Sequence, residues 1–497
     1  MPVLGLDVGT GGSRALLVAD DGRLLSAATA EHAPFASARA AWAEQDPLDW
    51  WRAAQEAVRA VLRASGIAPR EIAAVGLSGQ MHGAVLLDAD GGVLRPAIIW
   101  CDQRTSAECA SLNETVGAER LLALTSNPAL TNFTLTKLLW VRAHEPNVWR
   151  RVRRVLLPKD YVRFRLSGEH ATDVADASGT LMLDVAKRRW SVEVLDAVGL
   201  PHDMVPPVFE SPEECARVSA AASAATGLAE GTPIVAGAGD QAAGAVGMGI
   251  SRPGAVSATI GTSGVVFAAT DRPATDPRGR LHTFCHAIPG RWHVMGVTQA
   301  AGLSLRWIRD RLCEGGGPTS YDALARDAEA VPPGADGVLW APYLMGERTP
   351  HLDPDIRGAL VGLAAHHTRA HIVRAVMEGV AFSLRDTLTI FQEMDVPVKR
   401  IRLGGGGARS PLWRRIQADV YGQAVETVAA DEGAAYGAAL LAGVGARIWR
   451  SVDEVCESLV RVADETRPDA TAIRVMNERY AAFRALYPAL RQVGSTT

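Results

Sequence analysis

The sequence predicts an α/β protein built as two related domains, and three observations carry that expectation. Apolar, strand-like runs alternate with helix-like runs along the whole chain, the pattern of layered α/β folds. At 497 residues the chain exceeds what one ordinary hydrophobic core encloses. One device also occurs twice: an apolar strand, a Gly-Thr turn, then a second apolar strand. In the first half it is VLGLDVGTGGSRALLV, with Gly9, Thr10, Gly11 and Gly12 at the turn; in the second it is AVSATIGTSGVVFAAT, with Gly261, Thr262, Ser263 and Gly264. An internal repeat of this kind points to two related domains, whose turns could hold one phosphate chain from both sides of a cleft.

The elements follow in order. The first strand closes on Asp7, beside the glycines. Glycines permit positive φ and let backbone N–H groups approach a ligand closely. An acid beside them would repel a bare phosphate but suits one that arrives with Mg²⁺. The stretch is therefore a phosphate-and-metal turn or a plain β-hairpin. Asp46-Pro47 opens a helix reaching residue 64, with the acid as N-cap and the proline in the first turn. A buried strand over 72–77 runs into SGQMHG, where Gly79 and Gly83 clear space around Met81 and His82. Residues 83–94 read as a hairpin around Asp90-Gly91-Gly92, and KLLWVRAHEP and LPKDYVRFRLSG as helices. Trp50, Trp51 and Trp140 fall on apolar helix faces and are expected in the core. The Ala/Ser-rich stretch 218–226 reads as a surface helix.

PIVAGAGDQAAGAVGMG is a strand, a glycine turn and a helix of small residues. Asp240 opens that helix, so it is fixed in position and partly desolvated. Phosphoryl transfer to an alcohol needs such a carboxylate to take the hydroxyl proton; the bland alternative is an ordinary N-cap. Gln241 beside it could hydrogen-bond a polyol. A long amphipathic helix follows over 371–391. IRLGGGGARSPLW is then a strand, a glycine turn at 404–407 and a helix start suited to an anion or nucleotide. The last helix, about 470–491, is expected to pack back onto the first domain. His367 and His371 have the i,i+4 spacing of a metal pair, but without the HExxH glutamate or a third ligand they read as surface histidines.

Composition narrows the function. The residues are 48% hydrophobic and 21% charged, with formal charge −4 and pI near 6.3, so nothing favours nucleic acid or an anionic membrane. The six cysteines form no CxxC pair or zinc spacing, which suits a reducing compartment. With a strand starting almost at once and no apolar run long enough to span a bilayer, the expectation is a soluble cytoplasmic protein. None of the four lysines follows a glycine or precedes Ser/Thr, which excludes a Walker A loop, and no HRD or DFG marks a protein kinase. Gly237-Ala-Gly239-Asp-Gln-Ala242 matches GxGxxA formally. Yet the acid that dinucleotide binding needs ~20 residues later is missing.

Taken together and in order, DVGTGG, GAGDQAAGA, IGTSG and GGGGARSPLW resemble the FGGY carbohydrate kinases over essentially the whole chain. The resemblance implies two RNase H-like domains of the actin/hexokinase ATPase type, with the active site in the cleft between them. The sugar-binding domain would be 1–238 and the ATP-binding domain 239–469. Gly358, Leu360, Gly362, His371, Ala375 and Glu378 fit the C-terminal signature; FTLTKLLWVRAHEP fits the other with Lys137 and Trp140, Asn132 and Ala143 departing from it. WAEQDPLDWW, SGQMHG, WCDQRT, LLPKDYVRFRLSGE and GERTPH resemble the members that phosphorylate D-xylulose. That resemblance implies Asp240 as catalytic base and Met81, His82, Asp102, Arg104 and Gln241 at the sugar. It places Asp7 at the Mg²⁺-phosphate group. Thr10, Gly11, Gly261, Thr262, Gly302, Gly405, Gly406, Gly407 and Ala408 would lie at ATP. ATP and Mg²⁺ are the implied cofactors, and a homodimer is compatible. Gln241 stands where D-xylulose kinases often have Asn, so a kinase for ribulose, arabitol or glycerol is the neighbouring reading. A non-catalytic ATP-binding switch of the actin or chaperone type is the distant one.

Overall fold

The computed structural model describes residues 1–39, 41–312, 320–429 and 432–494; Cys313 lies outside them. Two seven-stranded sheets form the two halves. The first takes β1 (Val3–Val8), β2 (Gly12–Val18), β3 (Leu24–Glu31), β4 (Val75–Gly79), β5 (Glu214–Arg217), β6 (Pro233–Val235) and β7 (Ala238–Gly239). The second takes β8 (Gly254–Ile260), β9 (Gly264–Thr270), β10 (His282–Cys285), β11 (Trp292–Thr298), β12 (Val398–Gly404), β13 (Val425–Val428) and β14 (Val462–Thr466).

The sheets share one plan. In the first, the order β3-β2-β1-β4-β6 has antiparallel pairs up to β1 and parallel pairs beyond it. In the second, β11-β9-β8-β12-β13 repeats that order and those directions. The β1–β2 turn and the β8–β9 turn therefore occupy equivalent places, and the repeat legible in the sequence is a repeat of topology.

Five helices matter for the site: α1 (Pro47–Ser65), α2 (Asp240–Gly247), α3 (Arg369–Glu393), α4 (Gly433–Gly445) and α5 (Ala470–Arg484). Helix α1 begins as expected, with the Asp46 carboxylate accepting from Leu48 N at 2.9 Å, and ends at Gly66 in the left-handed region. Its buried face, Trp50, Ala54, Ala57, Val58 and Val61, covers the first sheet.

Helix α4 joins the halves. A Cβ on Gly5 of β1 would stand 2.0 Å from Ala435 O, and one on Gly76 of β4 would stand 2.0 Å from Ala438 O. On the other side of α4, a Cβ on Gly437 would stand 1.7 Å from Ala243 O of α2. Backbone thus meets backbone at three places, with Ala435, Tyr436, Leu440 and Leu441 sharing one core with Val3, Val235, Ala242 and Val246. The halves meet again at β10, where Asn127 Nδ2 donates to Thr283 O at 2.7 Å and Cys285 N donates to Ser178 Oγ at 3.1 Å.

One expectation is overturned. The C-terminal helix does not return to the first domain: Met476, Tyr480 and Phe483 of α5 enter the core of the second half with Phe382, Ile416 and Trp413. The Tyr480 hydroxyl also donates to Asp386 at 2.6 Å. The face of α3 matches that apolar stripe, while the surface of the first sheet is already occupied by α4. The chain then breaks at Ala485 before a final helix, Leu486–Gly494. Among the described residues the five cysteines are free, and no helix is long and apolar enough to cross a membrane.

Gly437→Val should destabilise the protein by about 1–3 kcal/mol or more, because a branched side chain cannot enter a backbone–backbone contact. Gly244→Ala, on an open part of α2 where a Cβ meets nothing within 4 Å, should be neutral or slightly stabilising. Thermal unfolding of the two variants checks the contrast; equal melting temperatures would remove α4 from its role as the joint.

Candidate active site

The first turn is held by side chains from three separate segments. Gly9 N donates to Gly12 O at 3.0 Å, closing the turn between β1 and β2. Gln45 Nε2 donates to Thr10 O at 2.8 Å, Trp100 Nε1 to Thr10 Oγ1 at 2.9 Å, and Gln80 Nε2 to Gly9 O at 3.3 Å. Gln80 also donates to Gln45 Oε1 at 2.9 Å. These residues belong to WAEQDPLDWW, WCDQRT and SGQMHG, and sequence reasoning did not assign them a task. Gly11 stays open, with nothing within 4 Å of a would-be Cβ.

Asp7 lies at the end of β1, opposite Arg14 on β2 and Ser78 on β4. Its Oδ1 is buried without a hydrogen-bond partner of good geometry. Burial pushes its pKa up to about 6, against the pull of the neighbouring Ser78 hydroxyl and the Arg14 guanidinium. Arg14 itself pairs with Glu432, just before α4, so the second half reaches the first turn.

Met81 and His82 follow β4. His82 adopts φ 66°, a left-handed backbone that a non-glycine residue takes only under constraint. Lys137 Nζ supplies part of that constraint, donating to His82 O at 2.7 Å and to Asn132 O at 2.8 Å. What Lys137 needs at position 132 is a carbonyl, so the atypical Asn132 costs nothing there. Burial and the nearby charges of Lys137 and Arg348 push the His82 pKa down to about 3, so its ring is neutral. Nδ1 sits 2.6 Å from Gly179 O and must carry the proton, which leaves Nε2 as an acceptor. Gly179 has no room for a side chain: a Cβ would stand 2.9 Å from the His82 ring and 3.1 Å from Met81 Cε. Met81 packs in turn on Gly239, the residue before Asp240.

Asp102 and Arg104 form a buried pair. Arg104 Nε lies 2.9 Å from both Asp102 oxygens, Nη1 donates to Glu44 at 2.7 Å, and the guanidinium covers the Trp42 ring at 3.7 Å. Asp102 Oδ2 also accepts from Ala43 N at 2.6 Å. The pair is spent on itself, with Asp102 wholly buried. Its charge reaches Lys137, whose Nζ holds the His82 carbonyl.

Asp240 is the first residue of α2, half-buried, with Gln241 beside it. Burial pushes its pKa up to about 7; the negative charge of Asp7 adds to that, and hydrogen bonding from Gln241 opposes it. Beneath lies a wholly buried ionic network from LPKDYVRFRL. Lys159 Nζ stands 2.6 Å from Asp160 and Asp173 and 3.1 Å from Asp176, and Arg163 also pairs with Asp160. Asp176, raised by burial, lies under Gly239. LPKDYVRFRL was read as a helix and gave no sign that its lysine would meet, besides its neighbour Asp160, two acids from outside the stretch, Asp173 and Asp176.

The second turn is built from backbone. Gly302 N donates to Gly261 O at 2.9 Å, and Ala301 N to Thr262 O at 3.0 Å. A Cβ on Gly302 would stand 2.3 Å from Gly261 O, and one on Gly405 would stand 2.6 Å from Ile260 O. The structure therefore brings Gly261, Thr262, Gly302 and Gly405 together, with Gly406 exposed beside them. Gly407 and Ala408 are buried instead, Gly407 on Ile260 and Ala408 in the core, so they support the turn from below.

Two matched glycine turns, one in each half, fall within the ranges matched by two family models. The N-terminal domain of the FGGY family of carbohydrate kinases matches residues 2–247, and its C-terminal domain matches residues 256–446. The chain belongs to the FGGY family of carbohydrate kinases. It is 39% identical to the xylulose kinase of Escherichia coli over 98% of this chain and 99% of that one. It is 38% identical to the xylulose kinase of Bacillus subtilis over 98% and 96% of the two chains. The crystal structure of xylulose kinase from Rhodospirillum rubrum superposes with a TM-score of 0.92 at 32% identity, each chain covered in full. As a sugar kinase of this family, the protein transfers phosphate from ATP to an alcohol group.

The paired acids carry a thermodynamic signature. Both pKa values are raised on folding, so the native state binds these protons more tightly than the unfolded chain. That stabilisation is complete below about pH 4 and is lost as pH rises through about 7. Asp240→Asn, which cannot ionise, should therefore be more stable than wild type at pH 8 by roughly 1–3 kcal/mol and nearly equal to it at pH 4.5. Melting temperatures at the two pH values check this; a difference that ignores pH would mean that folding does not raise the Asp240 pKa.

Proposed function

We propose that this FGGY kinase transfers the γ-phosphoryl group of ATP to the terminal hydroxyl of D-xylulose, giving ADP and D-xylulose 5-phosphate. The observation that carries this reading is Asp240, held by α2 beside Asp7 and next to Met81, with a pKa raised to about 7. A carboxyl so tuned is half ionised near neutrality, where a general base is most effective. The names of the full-length relatives supply the substrate.

Each residue has a task in this reading. Asp240 takes the hydroxyl proton as the oxygen attacks phosphorus in line. The free Nε2 of His82 accepts from a sugar hydroxyl, Met81 packs against the carbon chain, and Gln241 offers its amide to a further hydroxyl. Backbone N–H groups of Thr10 and Gly11 on one side, and of Thr262 on the other, receive the phosphates of ATP, while Gly261, whose N–H donates to Ser263 O at 2.9 Å, shapes the second turn. Gly302, Gly405 and Gly406 give the nucleotide room. Asp7, with a buried Oδ1 that has no hydrogen-bond partner of good geometry among the described residues, fits a phosphate that carries a cation. Mg²⁺ bound there supplies positive charge to the phosphate oxygens.

The reading is tested by ADP release from the purified protein with ATP-Mg²⁺ across D-xylulose, D- and L-ribulose, D-arabitol, xylitol and glycerol. D-xylulose should give the highest kcat/KM. A clear preference for another polyol would keep the kinase and replace the substrate, and Gln241 is the residue that makes the comparison worthwhile. Asp240→Asn should lower kcat by about 10²–10⁴-fold with sugar affinity retained. Wild-type kcat/KM should fall tenfold per pH unit below about pH 7, since the base must be ionised; a flat profile from pH 5 to 8 would remove Asp240 from that role.

A further inference from the structure

GERTPH is the distinctive stretch whose chemistry the reaction above leaves unassigned. Its flanks are locked. Glu347 is buried, and its carboxylate accepts from the Thr298 hydroxyl, from Gln299 N at 3.0 Å, from Arg348 N at 2.8 Å and from Ser383 Oγ at 3.3 Å. Thr349 N donates to Val297 O at 3.0 Å, and Thr349 Oγ1 accepts from Val297 N at 3.0 Å and donates to Arg280 O at 2.8 Å. The backbone on either side of Arg348 is therefore pinned to the end of β11, where Thr298 stands opposite Gly264 of the second phosphate turn.

The side chain between those anchors is free. The half-buried Arg348 guanidinium makes no hydrogen bond or ion pair with any described residue. Glu347, the acid nearest to it, already serves four donors. On its other side its positive charge reaches His82 and His282, neutral rings packed edge-on against Phe133 with centroids 5.0 and 5.6 Å away. Arg348 thus stands between the phosphate turn of the second half and the sugar-side histidine of the first.

A guanidinium keeps its charge at any working pH and presents a planar fork of donors that matches an oxyanion. Part of its hydration is lost here with no protein anion in exchange. A neutral ketose offers it only hydroxyls. We propose that Arg348 binds the phosphoryl group being transferred, and then the phosphate of the sugar product. The proposal rests on the kinase reading above. In the step, the bond from γ-phosphorus to the bridging oxygen of ADP breaks, the bond to the sugar oxygen forms, the hydroxyl proton goes to Asp240, and Arg348 stays protonated throughout. The ligand chemistry is an oxyanion, and the other source of one is the carboxylate of a sugar acid.

Calorimetric binding of D-xylulose, D-xylulose 5-phosphate and D-gluconate to wild type, Arg348→Ala, Arg348→Gln and Arg348→Lys separates the cases, with steady-state kinetics alongside. Arg348→Ala should keep D-xylulose affinity within about threefold and lose about 10–100-fold in affinity for D-xylulose 5-phosphate. Its kcat should fall about 10²–10³-fold, and Arg348→Lys should recover part of both losses. Retained ketose affinity certifies that the site is folded; where Arg348→Ala fails to fold, Arg348→Gln carries the same comparison. Unchanged affinity for the sugar phosphate, or equal losses for ketose and phosphate, would overturn the assignment. Selective loss of D-gluconate would also overturn it, in favour of a sugar-acid carboxylate. A wild-type protein that binds neither ketose nor its phosphate would bring down the D-xylulose reading on which the proposal rests, a result distinct from all of these.

Discussion

Helix α4 rests on β1 and β4 on one face and on α2 on the other, with glycines removing the side chains that would otherwise keep them apart. Contacts between bare backbones leave little slack, because neither partner has a rotamer to change. The start of α2 is thereby set against the end of β1. Those two ends carry Asp240 and Asp7. Burial raises the pKa of both carboxyls, and the charge of Asp7 raises that of Asp240 further. The relative placement of the two acids thus follows from a packing contact on the far side of the strands, made by a helix much later in the chain than either.

The sugar side is arranged by a different principle. Here polar side chains from distant segments converge on a few atoms: Gln45, Gln80 and Trp100 on the first turn, Lys137 on the carbonyl of His82, the His82 ring on the carbonyl of Gly179. The buried Lys159–Asp160–Asp173–Asp176 network stands behind them. Two cations among three acids leave one acid short of a partner, and Asp176 accordingly has its pKa raised. Such networks contribute little net stability but are costly to break, so this one fixes the geometry beneath Gly239 and Asp240.

What the chain determined by itself was whatever depends on near neighbours. Strand periodicity, glycine turns, the Asp46 cap and the doubled turn are local patterns, and the sheets reproduce them with matching strand order. Asp7 and Asp240 were legible because an acid at a strand end is a local feature. The motif stretches were visible too, but the work of their residues was not, because Gln45, Gln80 and Trp100 act only through one another. Tertiary structure alone decided that Asp102 and Arg104 close on each other, that Gly407 and Ala408 lie under the turn rather than on it, and that α5 covers the second half. It also decided that α4, whose sequence reads only as a helix of small residues, joins the halves. A small residue records that something comes close; which surface comes close is settled only when the whole chain has packed.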